Sequence, residues 1–285
     1  MEHISTVNIG MGPSGLSATA RLKARSIFPF IAGWRRECWQ HMPLRIFLKF
    51  SENSISISDH AHIYTLDHFG TPRQLHKRGP VPLQSLLDYA QWFQQELVAE
   101  IEQMDVMLLA QDGKAFHLAL ADGRSLKANG MGAPGIAPFA QIPAFTAHLP
   151  AGFFSHTQQY IDPCALKGKR AVVVGSGHSP FEAAWQSEEV CLQLSDGTTG
   201  QVDRVVPGTD YRPAGQKLTS IAPSLRQRVA QQHGRPLLTP WFEPSVPRLS
   251  FASSLAGYIF GPLCRFVAGA GVAARQITRH TVLSR

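Results

Sequence analysis

Gly10-Met11-Gly12-Pro13-Ser14-Gly15 stands directly after the apolar run of residues 4–9. A buried parallel strand that turns straight into a helix has this pattern. The first glycine makes the tight turn, and the second lets backbone N–H groups approach a pyrophosphate. The helix N-terminus then lends its partial positive charge to the phosphates. A second run, Gly175-Ser176-Gly177-His178-Ser179-Pro180, follows Arg170-Ala171-Val172-Val173-Val174 in the same way. Each run sits where a strand should become a helix, which separates a dinucleotide-binding turn from a chance match. Two such turns in one chain point to two nucleotides held face to face.

Outward from the first turn, residues 16–25 are rich in Ala, Ser and Thr, as suits a helix packed closely on a sheet. Residues 27–31 read as the second strand, ending at Gly33. An acidic residue for the ribose hydroxyls is expected about 20 positions past the glycines, and Glu37 is the nearby candidate. From Leu83 the apolar positions Leu86, Ala90, Phe93, Leu97, Ile101 and Met104 recur at steps of three and four, the pattern of an amphipathic helix. Trp92 and Phe93 are read as packing residues. Residues 106–110, 115–120 and 125–128 follow, separated by Asp112-Gly113 and Asp122-Gly123, as in a β-meander.

The second nucleotide unit begins near Leu166. Its helix is expected from Pro180 through Ala184 and Trp185 to Val190, because proline suits the first turn of a helix. Residues 191–194 read as its second strand. Soon after Asp196-Gly197 the chain reaches Val205-Val206-Pro207-Gly208, so residues 167–206 leave about 40 positions, near the lower limit for independent folding. The second unit is half a Rossmann domain at most. The expected fold class is α/β, with a first Rossmann-like domain of parallel sheet plus β-meander and a truncated second Rossmann-like insert.

Composition narrows the function classes. With 44% apolar and 16% charged residues among 285, the chain is a globular protein with a sizeable core. The net charge of +7 is scattered, with short clusters at Arg35-Arg36 and at residues 167–170, so no nucleic-acid partner is expected. Cys38, Cys164, Cys191 and Cys264 form no CxxC pair, which argues against a zinc site and against a dithiol flavin reductase. His60-x-His62 and His68 lack acidic or cysteine partners at ligand spacing, and no metal is expected. With no signal peptide read, the chain is expected to be cytoplasmic. Residues 251–274 are apolar but carry Pro262, Arg265 and four glycines. They read as a buried loop and helix packed on a cofactor, not as a membrane span.

These residues resemble the FAD-dependent, two-dinucleotide-binding oxidoreductases, in particular the flavin monooxygenase and lysine/ornithine N-hydroxylase-like group. The resemblance rests on Gly10-x-Gly12-Pro13-Ser14-Gly15-Leu16, and on Trp39-Gln40-His41-Met42-Pro43 leading into Phe47-Leu48-Lys49. It continues through Gly135-Ile136-Ala137-Pro138, Ile142-Pro143, Phe154-Ser155-His156 and Tyr160-x-Asp162. After the second glycine run come Glu182-Ala183-Ala184, Gly208-Thr209-Asp210-Tyr211 and Phe260-Gly261-Pro262. The order of these segments along the chain is more specific than any one of them.

The resemblance implies a discontinuous FAD domain, residues 1–150 and 207–285, interrupted by a reduced NAD(P)-binding insert at residues 151–206. It implies that Gly10, Gly12, Pro13, Ser14 and Gly15 hold the FAD pyrophosphate, that Glu37 meets the ribose, and that His41, Met42 and Lys49 lie close to the flavin. Gly175, Ser176, Gly177, His178 and Ser179 would hold NADPH or NADH. The implied activity is an NAD(P)H-dependent monooxygenase acting on a small-molecule substrate through a flavin hydroperoxide, with no dedicated catalytic residue to name.

Several residues depart from the family pattern. Asn8 places an amide in a strand buried on both faces, at a cost of about 1–3 kcal/mol unless it is paired. Ala133-Pro134-Gly135 replaces an Ala-Thr-Gly segment, and Ser195-Asp196 stands where an arginine for a 2′-phosphate is usual, which leans towards NAD or towards no second nucleotide. Two other readings compete. A shortened relative without catalysis would retain one nucleotide or none. A serine hydrolase would use Ser179 in Gly177-His178-Ser179-Pro180-Phe181 with Asp210 and His233, but its elbow needs glycine where Phe181 stands.

Overall fold

The computed structural model describes residues 2–33, 47–48, 55–71, 81–99, 101–129, 139–150, 152–156, 168–175, 202–209 and 211–284. The chain forms two compact units. The first takes Met1–Glu37, Phe47–Gly135 and Pro213–Arg285, and the second takes Cys38–Ile46 and Ile136–Arg212.

In the first unit, β1 (Glu2–Ile4), β2 (Val7–Ile9), α1 (Pro13–Lys23) and β3 (Phe30–Ala32) open the chain. After β4 (Phe47–Leu48) come α2 (Leu66–Gly70), β5 (Val81–Pro82) and α3 (Leu83–Phe93). The meander is β6 (Val106–Asp112), β7 (Ala115–Leu120) and β8 (Ser125–Ala128). It joins β1 in a sheet of order β1-β8-β7-β6, with β1 parallel to β8 and the other pairs antiparallel. Alternate residues Phe116, Leu118 and Leu120 of β7 are buried, the period-2 signature of a strand with one face on a core.

The apolar run at residues 4–9 is two strands rather than one. Ile4 pairs in the meander sheet, whereas Val7, Asn8 and Ile9 pair in parallel with Phe30, Ile31 and Ala32. The second strand also starts later than its apolar run. Ser26 adopts a left-handed φ of 55°, the Ile27 N–H bonds Leu22 O, and the Ser26 N–H bonds Lys23 O. This Schellman closure of α1 takes Ile27 into the core beside Leu22. Pro29 has no N–H to donate, so the ladder begins at Phe30, whose N–H bonds Thr6 O.

Helix α3 buries Leu86, Ala90 and Phe93 as its period requires. A π-helical turn, Gln94–Val98, then widens the spiral, with the Ala99 N–H bonded to Gln94 O. The extra residue advances the buried face, so Val98 rather than Leu97 is buried. Ile101 and Met104 lie beyond the helix. Tyr89 anchors this helix: its hydroxyl accepts the Ile57 N–H and donates to Tyr64 O.

The described residues of this unit also include the helices α4 (Pro223–Arg228), α5 (Gly257–Phe260) and α6 (Val267–Leu283). Helix α1 is buried from Ser14 to Leu22. Ala18 and Leu22 join Ala273, Ala274 and Ile277 of α6 in one cluster with Phe242 and Cys264. The apolar segment at residues 251–274 therefore packs against a helix. Among the described residues, no helix is long and apolar enough to cross a membrane.

The second unit holds β9 (Ala171–Val174) and β10 (Arg204–Pro207), paired in parallel. The other side of β10 takes a parallel bridge between Phe154 and Val205. The expected helix from Pro180 and strand at residues 191–194 lie outside the described residues.

Candidate functional site

The first glycine run is a strand–turn–helix. Gly10 leaves β2 with φ 100°, a conformation that favours glycine, and its N–H bonds Ala32 O across the parallel pair at 2.8 Å. Gly12 is the N-cap of α1 and Pro13 opens the helix. No side chain caps this end and no acidic residue stands in the first turn. The positive end of α1 is therefore left uncompensated by the helix's own side chains, as an anion site requires.

The turn is tight. A Cβ on Gly15 would stand 2.0 Å from Gly10 O, an impossible overlap with backbone. One on Gly33, just after β3, would stand 3.2 Å from the Gly10 Cα. At Gly12 a Cβ would meet nothing within 4 Å, so space is open beside the helix N-terminus. Gly10, Gly15 and Gly33 let backbone pack on backbone, and Gly12 faces the room a pyrophosphate would use. Gly33 was read from sequence only as a strand end. Its signal was a glycine at the point where the ribose acid usually stands.

Asn8 is fully buried. Its Nδ2 donates to Gly15 O and to Thr19 Oγ1, both at 2.8 Å. Its Oδ1 has no hydrogen-bond partner among the described residues. Further along α1, buried Arg21 donates through its guanidinium to Ser58 Oγ at 2.8 Å. Burial and nearby Arg275 lower its pKa, while Asp59 opposes them. The Ser58 N–H donates to Ser17 Oγ, so the loop before α2 is tied to α1 at two points.

Of the remaining expected site residues, Glu37, His41, Met42 and Lys49 lie outside the described residues, as do Ser176, Gly177, His178 and Ser179. Gly175 is described. It follows β9 with φ 133° and is exposed, and the ladder beyond it continues from the Gly208 N–H to Val174 O at 2.7 Å. In the same unit His156 is buried, with its ring edge-on to Tyr211 at 5.9 Å. Burial lowers the His156 pKa from its ordinary value. For the hydrolase reading, Ser179 and Asp210 are outside the described residues, and His233 is exposed beside Gly234.

His60 and His62 are exposed, and His62 and His68 line an open surface groove with Asp67. Among the described residues no three His, Cys, Asp or Glu side chains gather as a metal set.

No family model matches the chain, and no curated protein matches it. Solved structures do. Bacillithiol disulfide reductase Bdr (YpdA) from Staphylococcus aureus is similar at a TM-score of 0.80 and 14% identity, over 100% of both chains. A flavin-containing monooxygenase from Stenotrophomonas maltophilia is similar at 0.79 and 17%, over 100% of this chain and 99% of that one. The chain has the fold of these flavoproteins. DfoA, the cadaverine monooxygenase of desferrioxamine biosynthesis from Erwinia amylovora, is similar in its FAD-bound form at 0.74 and 13%. There 98% of this chain and 95% of that chain are covered. The Rossmann-like α/β fold class read from the glycine turn is the fold these structures share.

Proposed function

We propose that this protein is an FAD-dependent oxidoreductase, and more finely an NAD(P)H-dependent monooxygenase of a small-molecule substrate. The observation that supports it most directly is the uncapped start of α1. Open space lies at Gly12, and Gly15 is packed too closely on the Gly10 carbonyl to admit a side chain. That cradle matches the chemistry of a dinucleotide pyrophosphate: backbone donors, a positive helix end and no carboxylate in the helix's first turn. The similarity to FAD-bound DfoA and to a flavin-containing monooxygenase, across nearly the whole chain, favours FAD as the dinucleotide.

In this reading Gly10, Gly12, Pro13, Ser14 and Gly15 bind the pyrophosphate, and Glu37, His41, Met42 and Lys49 belong to the ribose and flavin ends. Gly175, Ser176, Gly177, His178 and Ser179 bind NADPH or NADH. When bound, FAD would supply two-electron acceptance from the reduced nicotinamide and reaction with oxygen. The protein's own share is to orient the dinucleotide and to exclude water from the reacting ring. The discontinuous arrangement, with the flavin domain at residues 1–150 and 207–285 and the nicotinamide insert at residues 151–206, is part of the proposal.

The test is an absorbance spectrum of the purified protein reconstituted with FAD, then anaerobic addition of NADPH and, separately, NADH. The expected result is bound flavin whose bands bleach at a rate that saturates with nicotinamide. Bound flavin that never bleaches leaves a flavin-binding protein without a reductive half-reaction. Absence of bound flavin overturns the reading.

A further inference from the structure

We infer that Asn8 is a positioning residue for the dinucleotide turn: its side-chain amide ties strand β2 to the first turn of α1 and so aims the backbone donors of that turn at the bound pyrophosphate. The inference rests on the flavin reading above and concerns the same site.

Asn8 lies two residues before Gly10, at the centre of the pair that β2 makes with β3. Its orientation is settled by chemistry. Gly15 O can only accept, so the atom facing it at 2.8 Å is the Nδ2 donor. The same nitrogen reaches Thr19 Oγ1 at 2.8 Å. Gly15 and Thr19 are one helical turn apart, and the Gly15 carbonyl is the one that the Thr19 N–H meets in a regular helix. The amide therefore grips both ends of the turn from Gly15, the third helical residue after the Gly12 N-cap, to Thr19. It also uses the space that glycine leaves, since a Cβ at residue 15 would stand 3.3 Å from Nδ2.

Stability alone does not account for this residue. The Oδ1 is buried without a partner among the described residues, so the amide forgoes one hydrogen bond that it makes in water. A branched apolar side chain would fill a fully buried strand position with no such loss. What the amide adds is direction. Helix α1 has no side-chain cap and no acidic residue in its first turn. Among the described residues, the Asn8 amide is the side chain that hydrogen-bonds Gly15 to the strand that delivers Gly10. A turn held at Gly15 and Thr19 keeps its leading N–H groups in place before the anion arrives, which lowers the ordering cost of binding.

The experiment compares Asn8→Val, Thr19→Val and Thr19→Ser with the parent protein. Melting temperature is measured without ligand, and dissociation constants are measured for FAD and for ADP, which share the pyrophosphate. The expected result is a modestly lower ligand-free melting temperature in Asn8→Val and Thr19→Val, since each leaves a buried polar group short of a partner, and a parental one in Thr19→Ser. Asn8→Val and Thr19→Val then weaken FAD and ADP together by about tenfold, the scale of one directed hydrogen bond. Thr19→Ser, which keeps the hydroxyl, restores parental affinity.

The inference is overturned if both valine variants bind FAD within twofold of the parent. It is equally overturned if they lower the melting temperature while leaving both affinities intact, the mark of a structural role alone. Should Asn8→Val fail to fold, the Thr19→Val and Thr19→Ser pair decides. A parent protein that binds neither FAD nor ADP overturns the flavin reading and this inference with it. A parent that binds while the variants bind equally overturns the inference alone.

Discussion

At the first glycine turn a methyl group on Gly15 would overlap Gly10 O at 2.0 Å, and the helix that follows is buried from Ser14 to Leu22. At the second, Gly175 is exposed, and Val172, Val173 and Val174 of the strand leading to it are only half-buried. The two runs read almost alike as letters. In the first, glycine is required because backbone must lie against backbone, and the closeness is held by Asn8 and by the α1–α6 cluster. In the second, the requirement visible at Gly175 is conformational, a φ of 133°. The first glycine of each run is a backbone bend, with φ 100° at Gly10 and 133° at Gly175, whereas Gly15, whose counterpart in the second run is Pro180, is a packing device. A substitution should separate the two.

The largest expected effect is at the packing device. Gly15→Ala forces Cβ into Gly10 O, so the turn must open. We expect a loss of about 3 kcal/mol in urea unfolding and no measurable FAD binding by flavin fluorescence quenching. A Gly15→Ala protein that binds FAD normally would break the comparison.

A smaller effect is expected from Gly175→Ala. Alanine at that φ carries backbone strain of roughly 1–2 kcal/mol. FAD affinity should match the parent's, while the rate of flavin bleaching by NADPH should fall. If FAD affinity falls too, the two turns are not separable in the way proposed.

The smallest effect is in pH dependence. Burial holds the His156 imidazole neutral in the folded second unit below the pH at which it protonates in the unfolded chain. Between those two pKa values the unfolded state binds the additional proton. Stability is therefore full above the ordinary histidine range and declines as pH falls through it. Melting temperature should drop on acidification through the ordinary histidine range. A His156→Phe variant should show a shallower drop over the same range.

Much of the fold was legible because its signals are local. Glycine runs after apolar segments marked β2–α1 and the strand β9 of the second unit, and Asp-Gly pairs marked the hairpins of the meander. The errors fell where distant residues decide. The run at residues 4–9 divided because Ile4 found a partner in β8 and Val7 found one in β3. The helix from Leu83 ended early because a π-helical turn shifted its face, which a repeat of three and four does not reveal. The apolar segment at residues 251–274 was legible as buried, and the structure adds α1 as an element it packs against, since hydrophobicity alone does not show the partner.

The candidate site divides the same way. By itself the sequence determined that a strand, a tight glycine turn and a helix N-terminus follow one another, since φ freedom and the missing Cβ belong to the residue. Only the tertiary structure decided that the Asn8 amide is paired, that Thr19 is its second partner and that Gly33 abuts Gly10. Those contacts join residues separated along the chain, and a buried polar group costs or stabilises according to what stands opposite it.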